Sequence, residues 1–247
     1  MILLESKHIC KNFGPKPALR DVNVTIECGK IVGLLGPNGS GKTTFIKLLS
    51  GIYDCDEGEI LINGEPVKDI AKLRNSISVI FQDYAKYRTY IKENITVGDV
   101  NRTYTDDDIR DAARQTDIDS YIETLDDKYD TKLGCFSDSY LDLSGGQWQK
   151  LALSRLLFKN DAKMMILDEP TASLDPLAEA DIYANFFHLT KDKTALFISH
   201  RLGITKVVDR ILVFRDGTVA EQGTHDELLA ANGVYADMYK SQAQWYK

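Results

Sequence analysis

Cysteine is scarce in this chain and does not cluster. The four residues, Cys10, Cys28, Cys55 and Cys135, form no CxxC pair, which argues against a zinc site or a disulfide framework and leaves reduced packing residues. No apolar run approaches the ~18 residues of a membrane span, and "MILLESKHIC" meets charge too early for a signal peptide. The chain is therefore expected to be cytosolic and not to cross a bilayer by itself. Excess positive charge is missing as well. With 30 Lys and Arg against 37 Asp and Glu, and a net charge of -7, it has no basic footprint for a phosphate backbone, so no nucleic-acid partner is expected. The sequence shows no internal repeat and no low-complexity segment.

What is there is an ordinary globular composition. The 247 residues are 43% hydrophobic, enough to bury one large core or a core with an inserted lobe. Four short apolar runs, "KIVGLLG" (30–36), "KMMILDE" (163–169), "TALFISH" (194–200) and "RILVFRDG" (210–217), have strand length and end in polar or glycine residues. Runs apolar on both faces suit central strands of a covered sheet. Helices are expected at 42–50, 145–159 and 176–190, and strand alternating with helix is the pattern of an α/β fold. The last apolar run leads towards "GTHDELLAANG", where Thr224 and Glu227 have capping-box spacing. From about residue 83 to 160 the sequence turns charged and helix-like, which predicts an inserted helical lobe within a core of about 1–82 and 161–247. In that lobe Thr105, followed by Asp106, Asp107 and Asp108, reads as an N-cap with an acidic first turn rather than an acidic docking patch.

The chemistry begins at "GLLGPNGSGKTTFIKLLSG". Gly36, Pro37, Asn38, Gly39, Ser40, Gly41, Lys42 and Thr43, with Thr44 behind them, lie between a buried strand and a helix, the context a phosphate-binding loop requires. The glycines let backbone N–H groups turn inward around an anion, and the helix N-terminus adds its positive end. Lys42 can then reach the β- and γ-phosphates, and the Thr43 hydroxyl can ligate Mg²⁺. This pattern alone says nucleoside triphosphate and leaves kinase, GTPase and ATPase open. "MMILDEP" adds Asp168 and Glu169 at the end of an apolar strand, where ligands of such sheets collect. Asp168 is placed as the Mg²⁺-linked carboxylate, and Glu169 can take a proton from an attacking water.

A second glycine pair opens another helix. In "LDLSGGQWQK" Ser144 and Gln147 are spaced as a capping box, which explains those two residues but not Gly145 and Gly146. Each glycine costs about 1 kcal/mol relative to alanine where it enters a helix. Bare backbone at a helix N-terminus is what a phosphate can approach.

Taken in order, these motifs resemble the ATP-binding-cassette ATPases, whose signature sequence is LSGGQ. Phe13, "GPNGSGKT" at 36–43, Gln82 in "VIFQD", "LSGGQ" at 143–147, "MILDEP" at 165–170, "SLD" at 173–175 and His200 in "ISHR" occur in the family's order over nearly the whole chain. The resemblance implies an α/β P-loop NTPase (RecA-like) core sheet with an N-terminal antiparallel β part and an inserted helical subdomain, all one cassette domain. It implies a head-to-tail homodimer with a second ABC cassette, in which each signature closes over the γ-phosphate of ATP held by the other copy's phosphate loop. It gives Phe13 to the adenine, Gln82 to Mg²⁺ and water, Glu169 to polarising the attacking water, and His200 to the γ-phosphate. Asp175 would signal across the dimer; before Pro176 it is also a good helix N-cap. Phe13 also suits a core position, Gln82 a solvated loop and His200 a surface strand end. The family more often has tyrosine at the position of Phe13, and either ring can stack on a base.

Two segments are similar to the exporter type of cassette. These are "FQDYAKYRTYIKENITVG", around and after Gln82, and "YDTKLG", ahead of the signature. The second departs from the exporter pattern, with Thr131-Lys132-Leu133-Gly134-Cys135-Phe136-Ser137 where a glutamate and Gly-Glu-Arg-Gly are usual. That departure favours a peptide or lantibiotic-type exporter over the multidrug type. Tyr84, Tyr87 and Tyr90 recur every third residue, either to receive a helix of a transmembrane domain or to pack the helical lobe. The transmembrane domain would be a separate subunit or lie in the same longer chain, and the cassette would work at the cytoplasmic face of the membrane. A soluble ATPase of the iron–sulfur assembly type is the alternative.

Overall fold

A computed structural model describes residues 1–134, 141–169, 190, 193–199 and 202–243. They fall into two compact units. The first takes in residues 1–77, 163–169 and those from 190 onward; the second takes in 78–162.

The first unit holds two sheets. One is antiparallel, in the order β2-β1-β4-β5, from β1 (Ile2–Phe13), β2 (Lys16–Glu27), β4 (Glu57–Ile62) and the two-residue β5 (Glu65–Pro66). The other is built on β3 (Ile31–Leu35), β7 (Met164–Asp168), β8 (Thr194–Ile198) and β9 (Arg210–Arg215), with β10 (Thr218–Gly223) antiparallel at its edge. Within this unit their order is β10-β9-β3-β8-β7, and β3 runs parallel to both β8 and β9. Every residue of β7 and β8 is buried, as an apolar run covered on both faces demands. The four apolar runs are therefore the parallel core, and the fold is the expected α/β one. Between the sheets' strands come α1 (Lys42–Leu49) and α2 (Ile70–Ser76). On α1, Phe45, Ile46, Leu48 and Leu49 are buried, with the Phe45 ring 5.3 Å from Phe214 of β9.

β6 (Ile77–Ile80) carries the chain into the second unit, which is helical: α3 (Ile91–Thr96), α4 (Asp106–Gln115), α5 (Asp119–Ile122), a 3₁₀ turn at Lys128–Asp130 and α6 (Gly145–Phe158). Ile91, Ile95, Ile109, Ile122, Trp148 and Leu151 form its own apolar core. Thr105 caps α4 in a full capping box with Asp108, so the acidic run is a helix start. The first unit closes with α7 (His225–Ala231), capped by the Thr224/Glu227 box, and α8 (Val234–Ala243), whose first N–H groups donate to the Glu221 carboxylate. The helix expected at 176–190 lies almost wholly outside the described residues.

Candidate functional site

The phosphate loop leaves β3 in the middle of the sheet, between β8 and β9. Its backbone conformation depends on glycine at Gly36, Gly39 and Gly41, all with positive φ, Gly39 at 79°. Gly36 has φ 148°, and a Cβ there would sit 2.2 Å from the Phe214 carbonyl oxygen; Gly41 has φ 105°, and a Cβ would meet the Ala18 oxygen at 2.8 Å. The loop is thus pressed against β9 and β2, and Gly217 N–H donates to the Ser40 carbonyl at 3.0 Å. Helix α1 begins from left-handed Gly41, with no side-chain cap and no acidic residue in its first turn among the described residues. The contrast with the capping boxes of α4, α6 and α7 leaves the N-terminal N–H groups and dipole of α1 open to an external anion.

Lys42 folds over this cradle. Its Nζ donates to the carbonyls of Gly36 (2.7 Å) and Pro37 (3.0 Å) and to Ser40 Oγ (3.5 Å), and the residue is buried. Burial pushes the ammonium below its ordinary range, against the opposing pull of the Glu169 and Asp168 carboxylates. A desolvated cation held by its own loop carbonyls is poised to exchange them for phosphate oxygens. Asn38, Gly39 and Thr43 are exposed along the same loop, while Ser40 is buried and Thr44 half-buried.

Asp168 ends β7 opposite Ile198 of β8 and is 4% exposed. Glu169 follows with φ 46° and its N–H on the Ile198 carbonyl at 3.0 Å. A left-handed glutamate costs about 1–3 kcal/mol, and such strain concentrates where function requires it. Nothing in "LDEP" announces that conformation. Thr43 hydroxyl and Asp168 carboxylate are hard oxygen donors, the set that suits Mg²⁺ shared with substrate phosphates.

In the second unit the signature behaves as the capping box predicts. Ser144 N–H donates to Gln147 Oε1 (2.8 Å), and Gln147 N–H returns to Ser144 Oγ (3.3 Å). The helix is anchored behind this start by Trp148, buried, with its indole N–H on Asp142 Oδ1 at 3.2 Å. The glycines are another matter. Among the described residues a Cβ on Gly145 or Gly146 would meet nothing within 4 Å, and neither backbone is left-handed. Nothing among the described residues demands glycine at either position.

Gln82 lies exposed just beyond β6, at the start of the tyrosine segment. The three tyrosines part company there: Tyr84 packs against the helical core, Tyr90 is half-buried, and Tyr87 is 42% exposed with the Arg155 guanidinium 4.7 Å from its ring centre. Arg155, on α6, holds this segment through the carbonyls of Asn94 (2.9 Å) and Ala85 (3.1 Å) and through Asn94 Oδ1 (3.2 Å). The two exporter-like segments also join each other. Leu133 N–H donates to the Thr89 carbonyl and Ile91 N–H to the Thr131 carbonyl, each at 3.0 Å. From there Gly134 and Lys132 bond to Leu141, two residues before the signature.

Phe13, at the end of β1, is 48% exposed, so it is not a core residue. Its ring stands at 70° to that of Tyr53, with centres 5.4 Å apart; no sequence motif marks Tyr53. Asp175, His200, Cys135, Phe136 and Ser137 lie outside the described residues.

A glycine-lined loop opening an uncapped helix, with an acidic strand end two strands away, defines a P-loop nucleoside triphosphatase. The family described as "ABC transporter" matches residues 19–172. The chain belongs to the ABC transporter family, and is one of its ATP-hydrolysing domains. It is 43% identical over 226 residues to the subtilin transport ATP-binding protein SpaT of Bacillus subtilis, covering 91% of this chain and 37% of that protein. To the ATP-dependent lipid A-core flippase of Escherichia coli (strain K12) it is 39% identical over 228 residues, 92% of this chain and 38% of the flippase. A solved structure described as a bacterial Atm1-family ABC exporter with ATP bound superposes with TM-score 0.87 and 32% identity, over 97% of this chain and 41% of that one. The chain thus spans less than half the length of these relatives. They agree with the exporter-type reading of the sequence and lend no support to the iron–sulfur assembly alternative.

Proposed function

We propose that this cassette is the motor of a membrane exporter, working as a head-to-tail dimer with two equal ATP sites. The observation that carries it is the signature helix: two glycines that no contact among the described residues requires, at a dipole-positive helix start. A requirement that the fold does not make is made by something outside it, and the γ-phosphate of an ATP held by a second copy fits the chemistry.

In this reading the N–H groups of Asn38 to Thr44 and the Lys42 ammonium grip the triphosphate, and Phe13 stacks on adenine. Thr43 and Asp168 would hold Mg²⁺, with Gln82 given to the same ion by the family resemblance; when bound, the ion would neutralise charge on the phosphate oxygens. Glu169 orients the attacking water and accepts its proton, with His200 at the γ-phosphate. Ser144, Gly145, Gly146 and Gln147 would close over the partner copy's ATP, and Asp175 would signal across the dimer. The backbone bonds from Thr89 to Leu133 and on to Leu141 supply a direct mechanical route between the tyrosine segment and the signature. Tyr87 is the exposed ring on which a transmembrane domain, in the same polypeptide or another, would rest at the cytoplasmic face. The likeness to SpaT favours a peptide as cargo.

The test is photo-crosslinking in native cells from a probe replacing Tyr87. Capture of a polytopic membrane protein, or of a membrane segment of the same polypeptide, is expected. Capture of soluble proteins alone would contradict the transport assignment while leaving the ATPase chemistry standing.

A further inference from the structure

The adenine platform rests on more than Phe13. Helix α1, whose start forms the phosphate cradle, ends in a sharp turn at Gly51, which has φ 68° and no room for a Cβ beside Ile70, 2.9 Å away. The N–H groups of Ile52 and Tyr53 fold back onto the Lys47 carbonyl at 2.8 and 3.0 Å, and Arg74 Nη2 holds the Gly51 carbonyl at 2.8 Å. The turn delivers the half-buried Tyr53 to the edge-to-face contact with Phe13, while Lys47 Nζ lies 5.5 Å from the Tyr53 ring centre. The following residues are tied to the same strand end. Asp56 N–H donates to the Cys10 carbonyl (3.0 Å), and the Asp56 carboxylate accepts from Asn12 N–H (2.6 Å) and Lys11 Nζ (2.7 Å).

We infer that Tyr53 is a positioning residue for nucleotide binding, fixing the plane of the Phe13 ring on which the purine base stacks and linking that ring to the phosphate helix. The inference rests on the proposed stacking role of Phe13. An unsupported, half-exposed phenylalanine rotates freely and must be ordered when the base arrives; a ring already held at 70° by a second aromatic has that ordering done. Because stacking uses the π-face of any base, Tyr53 strengthens binding of purine nucleotides as a class rather than choosing adenine over guanine.

The test compares Mg²⁺-ATP with inorganic tripolyphosphate, which lacks the base, by calorimetry on the whole chain. Tyr53→Ala is expected to weaken ATP about 2- to 12-fold, the span of one aromatic pair, and to leave tripolyphosphate unchanged. Tyr53→Phe, keeping the ring, should bind ATP like the parent. Phe13→Ala should lose more, and adding Tyr53→Ala to it should cost nothing further. Equal weakening of both ligands would make Tyr53 merely structural, and additive losses in the double variant would mean it acts independently of Phe13; either overturns the assignment. If Phe13→Ala selectively weakens ATP while Tyr53→Ala does not, the Tyr53 role alone falls. If Phe13→Ala weakens neither ligand selectively, the stacking reading fails and takes the Tyr53 role with it.

Discussion

Replacing Gly146 by alanine separates what the fold wants from what the function wants. Gly146 is the second residue of α6, its backbone is not left-handed, and the added methyl meets no atom of the described residues within 4 Å. Alanine is the better helix former by about 1 kcal/mol in a helix interior, so the gain at this terminal position is up to about that amount. For a domain of this size, such a gain raises Tm by about 2–4 °C at most. In the proposed dimer the same methyl would stand where a partner's γ-phosphate reaches the helix N–H groups. Losing one charge-assisted hydrogen bond costs about 1.5–3 kcal/mol, which lowers ATP turnover roughly 10- to 150-fold. The assay is a melting curve beside steady-state phosphate release on the same preparation. Gly98 supplies the contrast: a Cβ there would lie 2.1 Å from the Arg155 carbonyl oxygen, so Gly98→Ala should lower Tm through overpacking. A Gly146→Ala protein that melts well below the parent, or that hydrolyses ATP at the parent rate, would contradict a functional demand for glycine at this position.

Arg155→Lys replaces a fork that reaches Ala85 and Asn94 by a single point charge, and Asn94 is fully buried. A buried acceptor left unpaired costs about 1–3 kcal/mol, so stability should fall by about that much, with faster amide exchange across 85–94. The helix caps set an acid limit. Hydrogen bonds from Thr105 and Thr224 hold the Asp108 and Glu227 carboxyls below their ordinary values of 3.8 and 4.5. A depressed carboxyl stabilises the fold fully above its ordinary value, and that stabilisation is lost as pH falls through the lower folded value. The stability gap between the parent and Asp108→Asn or Glu227→Gln, followed by denaturation from about pH 6 down to pH 2, should therefore close on the acid side; a gap constant with pH would contradict the cap assignment.

Much of the architecture was legible because burial on both faces leaves unbroken apolar runs. β3, β7, β8 and β9 stand out for that reason, and the capping boxes at Thr105, Ser144 and Thr224 mark three helix starts by side-chain chemistry alone. β10, "TVAEQG", is an edge strand with no fully buried residue, so it carries little hydrophobic signal. The phosphate loop was readable because each of its glycines answers a local demand. Glu169's left-handed backbone and the Tyr53–Phe13 contact were not, since they arise from chain segments brought together by the fold. The pairing of Thr89 with Leu133 is of the same kind. It joins two segments whose likeness to exporters was visible separately but whose connection was not.

A shared ATP site between two copies makes a prediction that light scattering on Glu169→Gln can read. Slowed hydrolysis should trap the closed state: a monomer of 27.8 kDa without nucleotide and a dimer of twice that mass with Mg²⁺-ATP, reverting to monomer when Ser144→Arg is added. Glu169→Gln remaining monomeric in saturating ATP, or dimerising equally well with Ser144→Arg present, would contradict it.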